Sequence, residues 1–159
     1  MTLITTQPIR VYADTSVYGG VFDEEFAVPS RRFFDRVREG RFRLVVSALV
    51  EDELVLSPIE VREWFGLFRP DAEAVAIDSD ALALRQAYLN AGIVTPQSSN
   101  DALHVALATV SGCSLIVSWN FRHIVHYQKV PRYNAVNTLH RRSTLEIRSP
   151  SEVIEDEQD

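Results

Sequence analysis

Four polar residues stand where this sequence stops being apolar. Asp14 directly follows Ile9 to Ala13 (IRVYA), and Glu53 comes one helical turn after Val50, beyond the run Phe42 to Ser47 (FRLVVS). Asp101 opens an apolar stretch built from Leu103, Ala106, Leu107 and Val110, and Asn120 follows Leu115 to Ser118 (LIVS). A carboxylate at the end of an apolar strand is costly unless a cation or hydrogen-bond donors compensate it, and no counter-charge lies near Asp14 in sequence. Plainer roles exist for each acid. Asp14 can cap a short helix through Asp14-Thr15-Ser16. Glu53 lies among Glu51 and Asp52, where a helical Glu is commonly solvated, although its place beside Leu54 turns it toward the core. Asp101 gains from the positive end of its own helix. His104 lies one turn beyond Asp101, next to alanines small enough for close packing on a sheet.

The elements that would position these residues alternate strand and helix. Strands are expected at Ile9–Ala13, Phe42–Ser47, Ala74–Ile77, Leu115–Ser118 and Leu145–Arg148, each rich in β-branched or aliphatic residues and bounded by polar or turn residues. Between them, helical spacing of apolar positions predicts a helix opened by Pro29-Ser30 and closed by Gly40, a short one carrying Glu53, and one over Ile59–Phe68 stopped by Pro70. A further helix is capped by Ser79 and closed by Gly92, and the next, capped by Ser98 or Ser99, carries Asp101 to Gly112. A last helical segment falls near Val136–Arg141. This alternation implies one α/β domain with a mainly parallel sheet covered on both faces. In such sheets ligands bind beyond the carboxyl ends of the strands, where Asp14, Glu53 and Asn120 lie.

Composition agrees with one globular domain. The chain has 159 residues, 46% of them apolar and 24% charged; at this length a fold buries about two-thirds of its unfolded surface and needs no disulfide or structural metal. The single Cys113 can make no internal bridge, so a reducing cytoplasm is expected. The longest nearly apolar stretch, Leu44 to Val50, is far short of the roughly 18 residues of a membrane span, and MTLITTQPIR lacks the pattern of a secretory signal. The net charge of −6 is largely that of the end of the chain, because five acids and no base follow Ser151. The expected organisation is therefore a domain over residues 1–150 and an acidic tail over 151–159 that aids solubility. Fifteen of sixteen bases are Arg, and the six between Arg31 and Arg43 read first as a solvated helix face and second as a phosphate or partner patch.

Other phosphate and metal chemistries fit poorly. A strand-end aspartyl nucleophile would want a second Asp at position 16, which is Ser, and the only lysine, Lys129, has no glycine loop before it. His104, His123, His126 and His140 have no second Cys beside them, and their apolar surroundings argue against zinc.

Taken together, Ala13-Asp14-Thr15-Ser16, Ser47 to Glu53-Leu54, Asp101-Ala102-Leu103-His104-Val105-Ala106 and Ser118-Trp119-Asn120-Phe121-Arg122-His123-Ile124 resemble the PIN-domain family, and within it the VapC-type toxins. The resemblance runs in order from Ile9 to about Pro150. It implies a three-layer α/β/α sandwich with a mainly parallel central sheet, and carboxylates that hold Mg²⁺ or Mn²⁺ for hydrolysis of RNA phosphodiester bonds. By that resemblance Asp14, Glu53, Asp101 and Asn120 carry the metal and the catalysis, while Ser16 and Arg122 support the first carboxylate or the substrate.

Three converging carboxylates raise one another's pKa values unless a cation neutralises them, and oxygen donors select Mg²⁺ or Mn²⁺ over zinc. Such a metal acidifies a bound water and offsets charge on the leaving oxygen, in a two-metal form with ions about 3.5–4 Å apart. Asn120 departs from the pattern, since many PIN proteins have a fourth acid there; its amide oxygen can accept a metal but brings no charge, so a weaker second metal position is expected. The resemblance further implies a small antitoxin partner, a homodimer, no membrane association and a cytoplasmic protein. The alternative is a catalytically weak or inactive PIN-like module that binds RNA or protein.

Overall fold

In the computed structural model, which describes residues 7–155, five strands form one parallel sheet in the order β3-β2-β1-β4-β5. The strands are β1 (Ile9–Ala13), β2 (Phe42–Ser47), β3 (Glu73–Val75), β4 (Leu115–Val117) and β5 (Glu146–Arg148). β1 is central, pairing Val11 with Leu44 on one side and with Leu115 on the other. Its Val11, Tyr12 and Ala13 are completely buried, as expected of a parallel strand covered on both faces. Strand order reverses between β1 and β4, so the carboxyl ends of these two strands mark the crevice where such sheets bind ligands. Asp14 and Ser118 occupy that crevice.

Two groups of helices complete the layers. α1 (Thr15–Gly20), α2 (Ala27–Arg38), α3 (Ala48–Leu54), α4 (Ile59–Phe68) and α8 (Pro150–Glu155) contact one another, and α5 (Ser79–Asn90) packs on α6 (Ser99–Val110) and α7 (Val130–Leu139). The first group closes around aromatic rings: Phe34 meets Phe68 at 4.7 Å and Tyr18 at 5.2 Å. The second group is joined by the edge-to-face pair Tyr88 and Tyr133, 4.9 Å apart. Ala102, Ala106 and Ala108 on α6 are fully buried, and their small side chains let this helix lie close on the sheet. No helix among the described residues is long and apolar enough to cross a membrane.

Several boundaries differ from the sequence reading for identifiable reasons. α2 starts at Ala27, two residues before Pro29, because a proline in the first helical turn gives up an N–H that has no partner there anyway. Asp78, not Ser79, caps α5, its carboxylate accepting from Ala81 N at 2.8 Å. α6 is entered through the 3₁₀ turn Pro96–Ser98, and Ser98 makes no capping bond with its side chain. α7 begins at Val130 and not near Val136, with Pro131 seated in its first turn; it stops at Leu139, and Arg141 turns left-handed at φ 59°. β3 is Glu73–Val75 rather than Ala74–Ile77. The boundary expected at Pro150 is also crossed: Pro150 opens α8, which packs on α2 with Val153 and Ile154 buried. Apolar residues among the acids there belong to the core, and the rest of the acidic tail, from Asp156, lies outside the described residues.

Candidate active site

At the crevice, Asp14 is 4% exposed and is held by neutral donors alone. Its Oδ1 accepts from Ser16 Oγ at 2.5 Å and Ser16 N at 3.1 Å, and its Oδ2 accepts from Ser118 Oγ at 2.7 Å. Asp14 is thus both the N-cap of α1 and a buried strand-end carboxylate. The two hydroxyls tie the end of β1 to the end of β4, Ser118 through Asp14 and Ser16 by accepting from Trp119 N at 2.9 Å, while Ser118 Oγ also accepts from Asn120 N at 2.9 Å. Burial pushes the Asp14 carboxyl above its ordinary range and Glu53 adds repulsion, against the opposing effects of His104 and the two serines.

Glu53 is delivered by α3, which Ser47 caps at the end of β2. Its Oε1 accepts from Thr15 Oγ1 at 2.7 Å and from His104 Nε2 at 2.5 Å. Behind it runs a buried chain of hydrogen bonds: His104 Nδ1 lies 2.7 Å from the Tyr12 hydroxyl, which lies 2.7 Å from Ser47 Oγ. Burial alone would raise the Glu53 carboxyl, but the His104 contact and the Thr15 hydroxyl outweigh it and hold the group below its ordinary value. Asp101, half-buried in the first turn of α6, shifts the other way. Burial raises it, Glu53 adds to the rise, and His123, His104 and a hydrogen bond from Asn120 oppose it.

Asn120 sits just past β4. Its Oδ1 accepts from His123 N at 2.9 Å, which closes the turn after the strand, and its amide serves Asp101. One lone pair of Oδ1 is spent on that turn and the second is what a metal would use. Trp119 packs inward: it stacks on Phe26 at 4.2 Å, its indole N–H donates to Ser30 Oγ at 2.8 Å, and Gly20 passes so close that a Cβ there would meet the indole nitrogen at 2.7 Å. Phe121 is left 48% exposed, and Arg122 is on the surface beside His123 and Lys129.

A family model for the PIN domain matches residues 11–126. The chain belongs to the PIN-domain family. A search of curated proteins gives no significant match. Among solved structures, a chain from the crystal structure of VapBC2 from Rickettsia felis bound to a DNA fragment from their promoter superposes with a TM-score of 0.57 at 12% identity, over 89% of this chain and 98% of that one. This likeness concerns the fold.

In this PIN domain, Asp14, Glu53 and Asp101 each offer only oxygen donors, the kind that a hard divalent cation takes. Among the described residues none of the three pairs with Arg or Lys, and the raised Asp14 and Asp101 carboxyls are those that a cation would relieve. As the side chains stand, no three His, Cys, Asp or Glu among the described residues cage an ion, and Glu53 is turned to Thr15 and His104.

The sequence reading brought forward the acids and Ser16 but left Thr15, Tyr12, Ser47 and Ser118 without a role. His104, which the sequence puts beside small alanines, is buried in the structure with Glu53 and Tyr12 as its hydrogen-bond partners. The available signal was position: His104 follows Asp101 by one turn, and Ser118 is the polar residue that ends an apolar strand, as Asp14 does.

Proposed function

We propose that this PIN domain is a Mg²⁺- or Mn²⁺-dependent endoribonuclease and the toxin of a toxin-antitoxin pair. What supports the proposal is that Asp14 and Asp101, both destabilised as anions by burial, each lie in the field of Glu53 and His104, with no Arg or Lys paired to any of the three acids among the described residues. In this reading Asp14, Glu53 and Asp101 hold the metal and Asn120 offers its amide oxygen beside them. When bound, the metal would supply a more acidic water and charge compensation at the phosphate. Hydrolysis joins a water oxygen to phosphorus, breaks the bond to the leaving sugar oxygen and returns a proton to that oxygen. The chain's own contribution is rigidity. Ser16 and Ser118 fix both oxygens of Asp14 and Asn120 orients Asp101, so these two carboxylates need little reorganisation, while His104 and Thr15 hold Glu53 until a metal would draw it round.

The likeness to a chain of the VapBC2 complex supports an antitoxin partner, which in this reading is a small protein met in the cytoplasm. An exposed apolar edge between α3 and α4, with Val55, Leu56 and Ile59, gives a protein partner or a second copy something to cover. Asn120 favours a second reading, a non-cleaving module that binds RNA or protein, because it brings no fourth charge. Cleavage of a mixed-structure RNA with Mn²⁺ or Mg²⁺, with Asp101→Asn purified in parallel, decides between them. Metal-dependent cutting that is lost in the variant supports the nuclease; metal binding without cutting by either protein supports the module.

A further inference from the structure

Next to the carboxylates, the loop after β4 collects positive charge. Arg122 is exposed, Lys129 Nζ donates to His123 Nδ1 at 3.1 Å, and Arg132 follows on α7. Among the described residues none of these three cations has an acidic ion-pair partner. Arg132 is spent on the carbonyls of Ala91 and Gly92 at the end of α5, whereas Arg122 is exposed and Lys129 is half-buried against His123. Burial and repulsion from Arg122 and Arg132 both disfavour the Lys129 ammonium, and the opposing charge acting on it is Asp101. The cations therefore share a field with the candidate metal site. Because Lys129 donates to Nδ1, the neutral His123 ring carries its proton on Nε2, which is a third donor on this flank.

Aromatic surface adjoins the cations. A cleft of about 640 Å³ opens on the same loop, lined by Phe121, Tyr127 and Pro131 on the loop side and by Glu146, Arg148 and Glu152 on the side of edge strand β5. Tyr127 is 80% exposed. Unpaired cations beside exposed rings suit a single strand of nucleic acid, whose phosphates seek the charge and whose bases stack.

We propose that Arg122, His123 and Lys129 form a phosphate-binding subsite that holds the RNA backbone beside the scissile linkage, with Phe121 as the stacking surface for the adjoining base. This inference rests on the ribonuclease reading and adds to it the side from which substrate enters. It also gives the only lysine in the chain a function that a purely structural neutralisation of Asp101 would not require.

The test is binding of a short fluorescein-labelled single-stranded RNA by anisotropy, in EDTA so that nothing is cut, over a series of salt concentrations. Arg122→Ala combined with Lys129→Met is expected to weaken binding and flatten the plot of log Kd against log salt by about 1.4, given about 0.7 per phosphate contact on a single strand. Phe121→Ala is expected to lose about tenfold in affinity with the slope unchanged. Lys129→Arg retains the charge and should restore most of the slope, and Arg31→Ala with Arg32→Ala, on exposed α2, should alter neither quantity. Matching thermal melts show that the variants fold. If the wild type and the double variant bind with the same slope, the subsite is wrong while metal-dependent cleavage by the wild type leaves the ribonuclease reading in place. If the wild type neither binds nor, with Mn²⁺, cuts RNA, both fall together.

Discussion

Tyr12 is completely buried in the middle of β1, and its hydroxyl touches Ser47 Oγ and His104 Nδ1 at 2.7 Å each. Tyr12→Phe keeps the ring and removes that one oxygen. Ser47 Oγ retains the N–H of Val50 at 3.2 Å, but His104, 3% exposed, is left with a ring nitrogen that has neither protein partner nor water. Losing a net hydrogen bond costs about 1 kcal/mol, and leaving a buried polar atom unsatisfied costs about 1–3 kcal/mol. The expected loss is about 2–3 kcal/mol, or roughly 4–12 °C in Tm for a domain of this size. Urea unfolding in EDTA measures it without any contribution from metal. A double-mutant cycle with Ser47→Ala should show a coupling of at least about 0.5 kcal/mol, since the two residues share one chain of hydrogen bonds. A loss below about 0.5 kcal/mol for Tyr12→Phe, the range of an ordinary surface substitution, would refute the view that this chain braces Glu53.

Adjacent glycines on α1 should respond with opposite signs. Gly20→Ala drives a Cβ to 2.6 Å from Ser30 Oγ and 2.7 Å from Trp119 Nε1, an overpacking that costs about 1–3 kcal/mol, whereas Gly19→Ala meets nothing within 4 Å and should gain about 0.5–1 kcal/mol of helix propensity; urea midpoints compare the two. Because the Asp101 carboxyl is raised in the fold, the native state holds its proton to higher pH than the unfolded chain, so this group costs stability as pH rises from the acid range to neutrality. In EDTA, Asp101→Asn should therefore gain on the wild type as pH rises, and urea midpoints that keep a constant gap would contradict this. Asn120→Asp adds a charge beside Asp101 and Glu53 and should tighten Mn²⁺ binding in calorimetry; unchanged affinity would place Asn120 outside the metal site.

Much of the fold was legible because its strands are short apolar runs closed by polar residues. β1, β2 and α4 fall where the pattern puts them, at Ile9–Ala13, Phe42–Ser47 and Ile59–Phe68. The pattern was weaker where tertiary packing overrides it. α7 interrupts its apolar residues with Pro131, Asn134 and Asn137, and it is held by Tyr133 and the buried Asn137, whose side-chain carbonyl accepts from the Tyr88 hydroxyl. α8 hides two core residues among acids, and local composition alone reads such a stretch as a tail. At the candidate site the acids are visible in sequence because a carboxylate after an apolar run is costly. Their supports are not: Thr15, Ser118 and Tyr12 are ordinary residue types whose contacts cross between elements, Ser118 meeting Asp14 from 104 residues away.

The most direct test of the account is a crystal of the wild type soaked in Mn²⁺ and measured at a wavelength where manganese scatters anomalously. The account predicts an anomalous peak bonded to carboxylate oxygens of Asp14 and Asp101, with Glu53 rotated toward it from His104 or linked through water, and no such peak in Asp14→Asn. A peak elsewhere on the molecule, or none between these carboxylates at saturating Mn²⁺, would contradict it.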